Sequence, residues 1–116
     1  NLGSGYRAMN KLLAREAGFT AVFCMSDIMA VGAMRALTDA GLRVPQDISV
    51  LGFDGIELGQ YAVPRLATVS QPQQEIADQS VALLLGQIEK AAPPQTRVVS
   101  TGLLEGESVA SVTSDI

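Results

Sequence analysis

Apolar positions along this chain alternate between helical spacing and short unbroken runs, and that alternation predicts a layered α/β protein. Between about Ser4 and Glu16, Tyr6, Met9 and Leu13 recur at helical intervals, with Arg7, Asn10 and Lys11 on the other side. Ser4 is the expected N-cap and Gly18 the stop. Thr20 to Met25 is a short continuous apolar run flanked by glycine, the pattern of a buried strand. A second helix is expected from Ser26-Asp27 to about Ala40. Either leading residue can accept bonds from first-turn N–H groups, and Asp27 suits the positive end of the helix dipole. Gly41 and then Pro45 end this helix.

This second helix is apolar on more than one side. Met29, Ala33, Ala36 and Leu37 form one stripe, and Ile28, Val31 and Met34 form another. A helix with one buried face shows one stripe, so the second is expected to meet another subunit or further chain. Gly32, Ala33 and Ala36 are small enough for close approach to a sheet. Ile48 to Phe53 is the clearest buried strand. Gly59 and Pro64 break the stretch from Ile56 to Leu66, which reads as a loop with one short helical turn. Thr68-Val69 suits a brief strand. Gln73 to Lys90 reads as a helix with Ile76, Val81, Leu84, Leu85 and Ile88 inward and Gln74, Asp78 and Gln87 outward, stopped by Ala91-Ala92-Pro93-Pro94. Arg97 to Thr101 alternates weakly as a last strand, and the tail after Glu105 is polar.

The order predicts a parallel sheet covered by helices, with no internal repeat and no linker dividing the chain. The chain opens inside a helical pattern with no strand ahead of it, and a parallel sheet of so few strands has a bare edge. A piece of a longer protein is the simplest expectation.

Composition narrows the function. The 116 residues are 47% hydrophobic and only 17% charged, enough for a core and too few charges for a wholly solvated surface. Net charge is −4 and the only lysines are Lys11 and Lys90, so this stretch is poorly suited to a phosphate backbone. With no histidine, His-based triads and His metal clusters are excluded. No residue set suggests a cofactor, a metal or an enzyme. Cys24 lies inside a strand pattern and reads as a small core residue. Gly3-Ser4-Gly5 lacks the lysine and the preceding strand of a phosphate loop. No apolar run reaches membrane-spanning length, and the cytoplasm is the expected location.

The chemistry left is recognition. Ligands of open parallel sheets bind outside the carboxyl ends of the strands, and Asp54 follows such a strand. Its carboxylate could accept hydrogen bonds from sugar hydroxyls or base N–H groups, or it could only shape the Asp54-Gly55 turn. Ser26 and Asp27 follow the preceding strand and share that edge. Capping is the expected sole role of Asp27, whereas Ser26 could both cap and face a ligand. Gln71 lies at a strand-to-helix crossing, and Tyr61 is an aromatic in a loop.

These residues together resemble one family. The segments Ala21-Val22-Phe23, Ser26-Asp27-Ile28-Met29-Ala30-Val31-Gly32, Gly41 to Val50, Gly52-Phe53-Asp54, Pro64 and Thr68-Val69-Ser70-Gln71-Pro72 match, in order and spacing, the lactose/galactose-repressor family of bacterial transcription regulators. The chain departs from that pattern at Ala67, at Ala77 and at Glu105-Gly106-Glu107. The resemblance implies that residues 1–116 are most of the C-terminal lobe of a two-lobed sensor of the periplasmic-binding-protein type I architecture, with the helix-turn-helix DNA-binding domain elsewhere. It implies a small effector, a sugar or nucleoside, contacted by Asp54 and Ser26. It implies a homodimer in which Val31, Met34, Arg35 and Tyr61 meet the partner, and operator DNA bound by the domain outside this chain. The alternative with the same architecture is the C-terminal lobe of a periplasmic sugar-binding transport protein.

Overall fold

The computed structural model describes residues 1–112; the last part of the polar tail lies outside the described residues. The elements run α1 (Leu2–Ala14), β1 (Ala21–Phe23), α2 (Asp27–Asp39), β2 (Ser49–Asp54), α3 (Glu57–Gln60), β3 (Ala67–Ser70), α4 (Gln73–Lys90) and β4 (Gly102–Leu104). The strands form one sheet in the order β1-β2-β3-β4, and both β1–β2 and β2–β3 pairings are parallel. The expected class, a parallel sheet flanked by helices, is the one found.

The chain divides into two compact units, one of residues 1–70 and 103 onward, the other of residues 71–102. The sequence was expected to run undivided. The break falls between Ser70 and Gln71, at the crossing singled out above.

In the first unit, α1 starts earlier than its periodicity suggested. Asn1 is its N-cap, accepting from the Ser4 amide at 2.8 Å, so Ser4 lies inside the first turn and is not the cap. Met9 is the buried anchor of α1, joining Ala30, Ala33, Met34, Leu37, Val50 and Leu66 in one core. The α1–α2 crossing is made backbone against backbone. A methyl added at Gly5 would lie 2.0 Å from the Met29 carbonyl oxygen, and one at Gly32 would lie 2.0 Å from that of Leu2. Gly32 therefore admits a neighbouring helix, not the sheet as expected. The Tyr6 hydroxyl adds a 2.9 Å bond to Asp39.

Strand β1 corrects another expectation. It spans three residues at the sheet edge, and Phe23 is 56% exposed, so it is not a buried strand. Strand β2 is the true centre. Val50 is fully buried, and by the period-two alternation of a strand Val50 and Gly52 share one face while Leu51 takes the other. Cys24 is buried, as its pattern suggested, and burial pushes its thiol pKa up, which leaves it a poor nucleophile.

The loop from α2 to β2 is fastened by Arg43 and Asp47. The Asp47 carboxylate accepts from the Arg43 guanidinium at 3.0 Å and from the Arg43 backbone N–H at 2.7 Å. These bonds hold its pKa down to about 2. A depressed carboxylate pKa means that the pair contributes fully above the ordinary carboxylate range and is lost as pH falls toward 2. A carbon-detected titration of Asp47 should therefore show a midpoint near 2, rising toward the ordinary range in Arg43→Met. An unmoved midpoint would show that the guanidinium is not the cause.

The polar tail is built into the sheet. Ser108 is fully buried: its carbonyl accepts from the Val50 amide at 2.8 Å, its hydroxyl donates to the Val50 carbonyl at 2.6 Å, and the same hydroxyl accepts from the Ala67 amide at 2.8 Å. The Ser49 hydroxyl accepts from the Ala110 amide at 3.0 Å. One serine thus joins β2 to β3 and satisfies groups that strand pairing leaves open.

In the second unit, α4 has the bounds its pattern predicted, but none of its residues is buried. Val81, Leu84, Leu85 and Ile88, expected inward, are exposed together along one stripe. Residues 91–101 form no regular strand, and β4 begins at Gly102, after the segment expected to be extended. Among the described residues no helix is long and apolar enough to cross a membrane.

Candidate functional site

Three strand ends build one edge of the first unit. In the parallel register Asp54 pairs with Ser70, the final residues of β2 and β3. Phe23 pairs with Leu51, and the Cys24 amide donates to the Leu51 carbonyl at 2.8 Å, so β1 climbs alongside β2 toward the same edge and delivers Ser26 there. Asp54 is half-buried. Its φ of 127° places it in the region that side-chain-bearing residues rarely adopt, and Gly55 follows at φ 80°. Such a backbone costs on the order of 1–3 kcal/mol and persists only where its surroundings enforce it.

Ser26 is the N-cap of α2. Its Oγ accepts from the Met29 amide at 3.2 Å, and its own backbone is extended. Accepting that bond leaves the hydroxyl proton available to a ligand, so capping and contact are compatible in this residue.

Asp27 overturns its expected role. It is fully buried, and its carboxylate accepts from groups outside its own helix, in the turn after β2 and in β3. Oδ2 accepts from the amides of Gly55 and Ile56, both at 2.8 Å, and Oδ1 accepts from the Thr68 hydroxyl. Two amides and a hydroxyl satisfy a charge that would otherwise be costly to bury, and the N-terminus of α2 favours it further. Room for this carboxylate comes from glycine, since a methyl at Gly52 would strike Oδ1. The signal in the sequence was the pairing of Asp27 with a glycine and a threonine inside otherwise apolar strands.

A second feature lies on α2 away from that edge. Val31, Met34 and Arg35, with Ala62, Val63 and Pro64 among others, line a groove of about 600 Å³. Met34, expected at a subunit contact, is 6% exposed and belongs to the hydrophobic core. Arg35 is exposed and held by Asp39 at 2.9 Å. Tyr61 is 78% and Val63 97% exposed. Beside the stripe, α1 crosses α2 at Gly32, where the Leu2 and Tyr6 backbone approaches.

Among the described residues no group of three or more His, Cys, Asp or Glu side chains is placed to hold a metal ion.

Comparison with known proteins agrees with this architecture. The periplasmic binding protein-like domain family matches residues 1–109. The transcriptional repressor PurR of Yersinia enterocolitica is 46% identical over 108 residues, covering 92% of this chain and 32% of PurR. The dimeric lac repressor superposes with a TM-score of 0.87 at 32% identity, covering 94% of this chain and 40% of the repressor. The regulator CelR, solved with cellobiose, gives 0.87 at 34% identity, covering 93% of this chain and 33% of CelR. The chain belongs to the periplasmic binding protein-like domain family, and the relatives named here are transcriptional regulators. It spans about a third of the length of the curated relatives it matches.

Proposed function

We propose that this chain is the effector-sensing and dimerisation portion of a bacterial transcriptional repressor that takes a small sugar or nucleoside. The observation that supports this is the placement of Asp54. A strained carboxylate-bearing residue ends the central parallel strand, at the edge where ligands of such sheets bind, in a chain of repressor kinship. Asp54 and Ser26 are the effector contacts. A carboxylate accepts from two neighbouring hydroxyls or N–H groups, and a capped serine offers one donor. The relatives are regulators, which favours this reading over a transport receptor and over an enzyme.

Dimerisation uses the groove face of α2, with Val31, Arg35 and Tyr61 toward the partner and Met34 supporting them from beneath. On this reading residues 1–116 are part of the C-terminal lobe of the sensor. The open apolar stripe of α4 is the face that packs on protein outside this chain, and the DNA-binding domain also lies outside it. The effector works by binding two arrangements of the sensor unequally, and operator affinity changes by the same coupling. The cytoplasm, where operator DNA is reached, is the location this function requires.

Asp54→Ala in the full-length regulator tests the reading. A hydrogen bond to a charged group contributes about 1.5–3 kcal/mol, so effector affinity should fall roughly tenfold to a hundredfold while operator binding persists. Unchanged effector response in that variant refutes the assignment.

A further inference from the structure

We infer that Asp27 is a positioning residue for the effector site: its buried carboxylate holds the Asp54-Gly55-Ile56 turn in the conformation that presents the Asp54 side chain. The inference rests on the reading of Asp54 as an effector contact.

The turn has an unusual backbone. Asp54 and Gly55 both have positive φ, at 127° and 80°, and a non-glycine residue in that region relaxes unless something outside it fixes the chain. The two amides that follow Asp54 are both fixed by one group, Oδ2 of Asp27, at 2.8 Å each. That group sits on a different element, 28 residues earlier in sequence at the nearer bond. Its mounting is rigid. Asp27 opens α2, whose Ala30, Ala36 and Leu37 are fully buried, and Ser26 caps the same turn. The other oxygen is taken by Thr68 of β3, which pins the carboxylate plane and leaves Oδ2 aimed at the turn.

The consequence is a shared mount. Ser26 and Asp27 are adjacent, so the residue at the ligand edge and the residue beneath the Asp54 turn move as one body with the first turn of α2. A ligand bonded to both Ser26 and Asp54 meets two groups whose spacing Asp27 sets in advance. Pre-setting of that kind raises affinity by removing the ordering cost from the binding step.

Asp27→Asn is the informative variant. It keeps the shape but removes the charge and one acceptor oxygen, so the Gly55 and Ile56 amides meet either a weaker, neutral amide oxygen or an NH2 donor in place of Oδ2. Thr68→Val removes the hydroxyl from Oδ1 at nearly constant volume, and serves alongside it should Asp27→Asn fail to fold. Both are made in the full-length regulator, with Asp54→Ala and the Asp27→Asn/Asp54→Ala double variant. Backbone amide exchange is followed residue by residue. Binding of ribose, lactose, cellobiose, adenosine and guanosine is measured by calorimetry.

We expect the Gly55 and Ile56 amides to exchange at least tenfold faster in Asp27→Asn, and to a smaller extent in Thr68→Val. The Cys24 and Val50 amides, bonded to Leu51 and Ser108 instead, should keep their wild-type rates. Affinity for the tightest-bound probe should fall at least tenfold in Asp27→Asn, with no further loss when that change is added to Asp54→Ala. Wild-type exchange at Gly55 and Ile56 overturns the proposal. So does acceleration spread equally to Cys24 and Val50, which marks general loosening, and so do independent, additive losses in the double variant. If Asp54→Ala leaves every probe's binding unchanged, the effector reading fails by itself, and amide exchange still decides whether Asp27 holds the turn.

Discussion

Replacing Gly32 by valine should unfold this domain or leave it severely destabilised. In an open helix, substituting a glycine usually helps, because glycine costs about 1 kcal/mol against alanine. Here the added Cβ would lie 2.0 Å from the Leu2 carbonyl oxygen and 3.0 Å from the Tyr6 amide nitrogen. Both obstacles are backbone, so no rotamer change relieves the clash. α1 must lift away from α2, and Met9, its buried anchor, comes with it. Overpacking ordinarily costs about 1–3 kcal/mol, and loss of the whole crossing places Gly32→Val at or beyond the upper end. Urea unfolding of wild type, Gly32→Ala and Gly32→Val should give midpoints falling in that order. A wild-type midpoint for Gly32→Val would mean that α1 does not cross α2 at this residue. Effector binding should fall with stability, since the first turn of α2 carries Ser26 and Asp27.

Ser108→Ala should cost nearly as much through a different mechanism. The side chain is small and its removal leaves almost no void. It does leave two buried backbone groups without partners, the Ala67 amide and the Val50 carbonyl lone pair that met the hydroxyl. Each orphaned group costs about 1–3 kcal/mol, so a loss of about 2–5 kcal/mol is expected. The Val50 amide keeps its bond, because its acceptor is the Ser108 backbone. Urea unfolding should show a lower midpoint at unchanged slope, since the same surface is exposed on unfolding. A change below about 0.5 kcal/mol, the range of ordinary surface substitutions, would show that water or a neighbouring residue replaces the hydroxyl.

Features set by near neighbours were legible in the sequence. Ser26 at the start and Gly41 at the end bracket α2, and the observed helix obeys them. The run before Asp54 could be read as a strand, and in a parallel sheet the end of a strand is already a statement about the ligand edge. What escaped were facts decided by distant residues. Asp27 looked like a cap because its partners, Gly55 and Ile56, lie 28 and 29 positions away. Gly32 looked like a sheet contact because nothing local says that α1 returns across it. The polar tail looked like a loose end, although Ser108 bonds Val50 at a separation of 58. Helix α4 was read with the right bounds and the wrong environment. Periodicity shows that its stripe is apolar and does not say whether anything among residues 1–112 covers it.

The Ser108 arrangement also dictates a timetable. A ribosome delivers β2 first, β3 next, and the serine that joins them 58 positions after Val50. Until then β2 and β3 pair only from Leu51 and Ala67 onward, the Ala67 amide and the Val50 carbonyl still lack the hydroxyl that satisfies them, and contacts this distant form slowly. Chains stalled or cut before that position therefore carry α2, β2 and β3 with two buried backbone groups unsatisfied, and are expected to be less stable than the chain that includes Ser108.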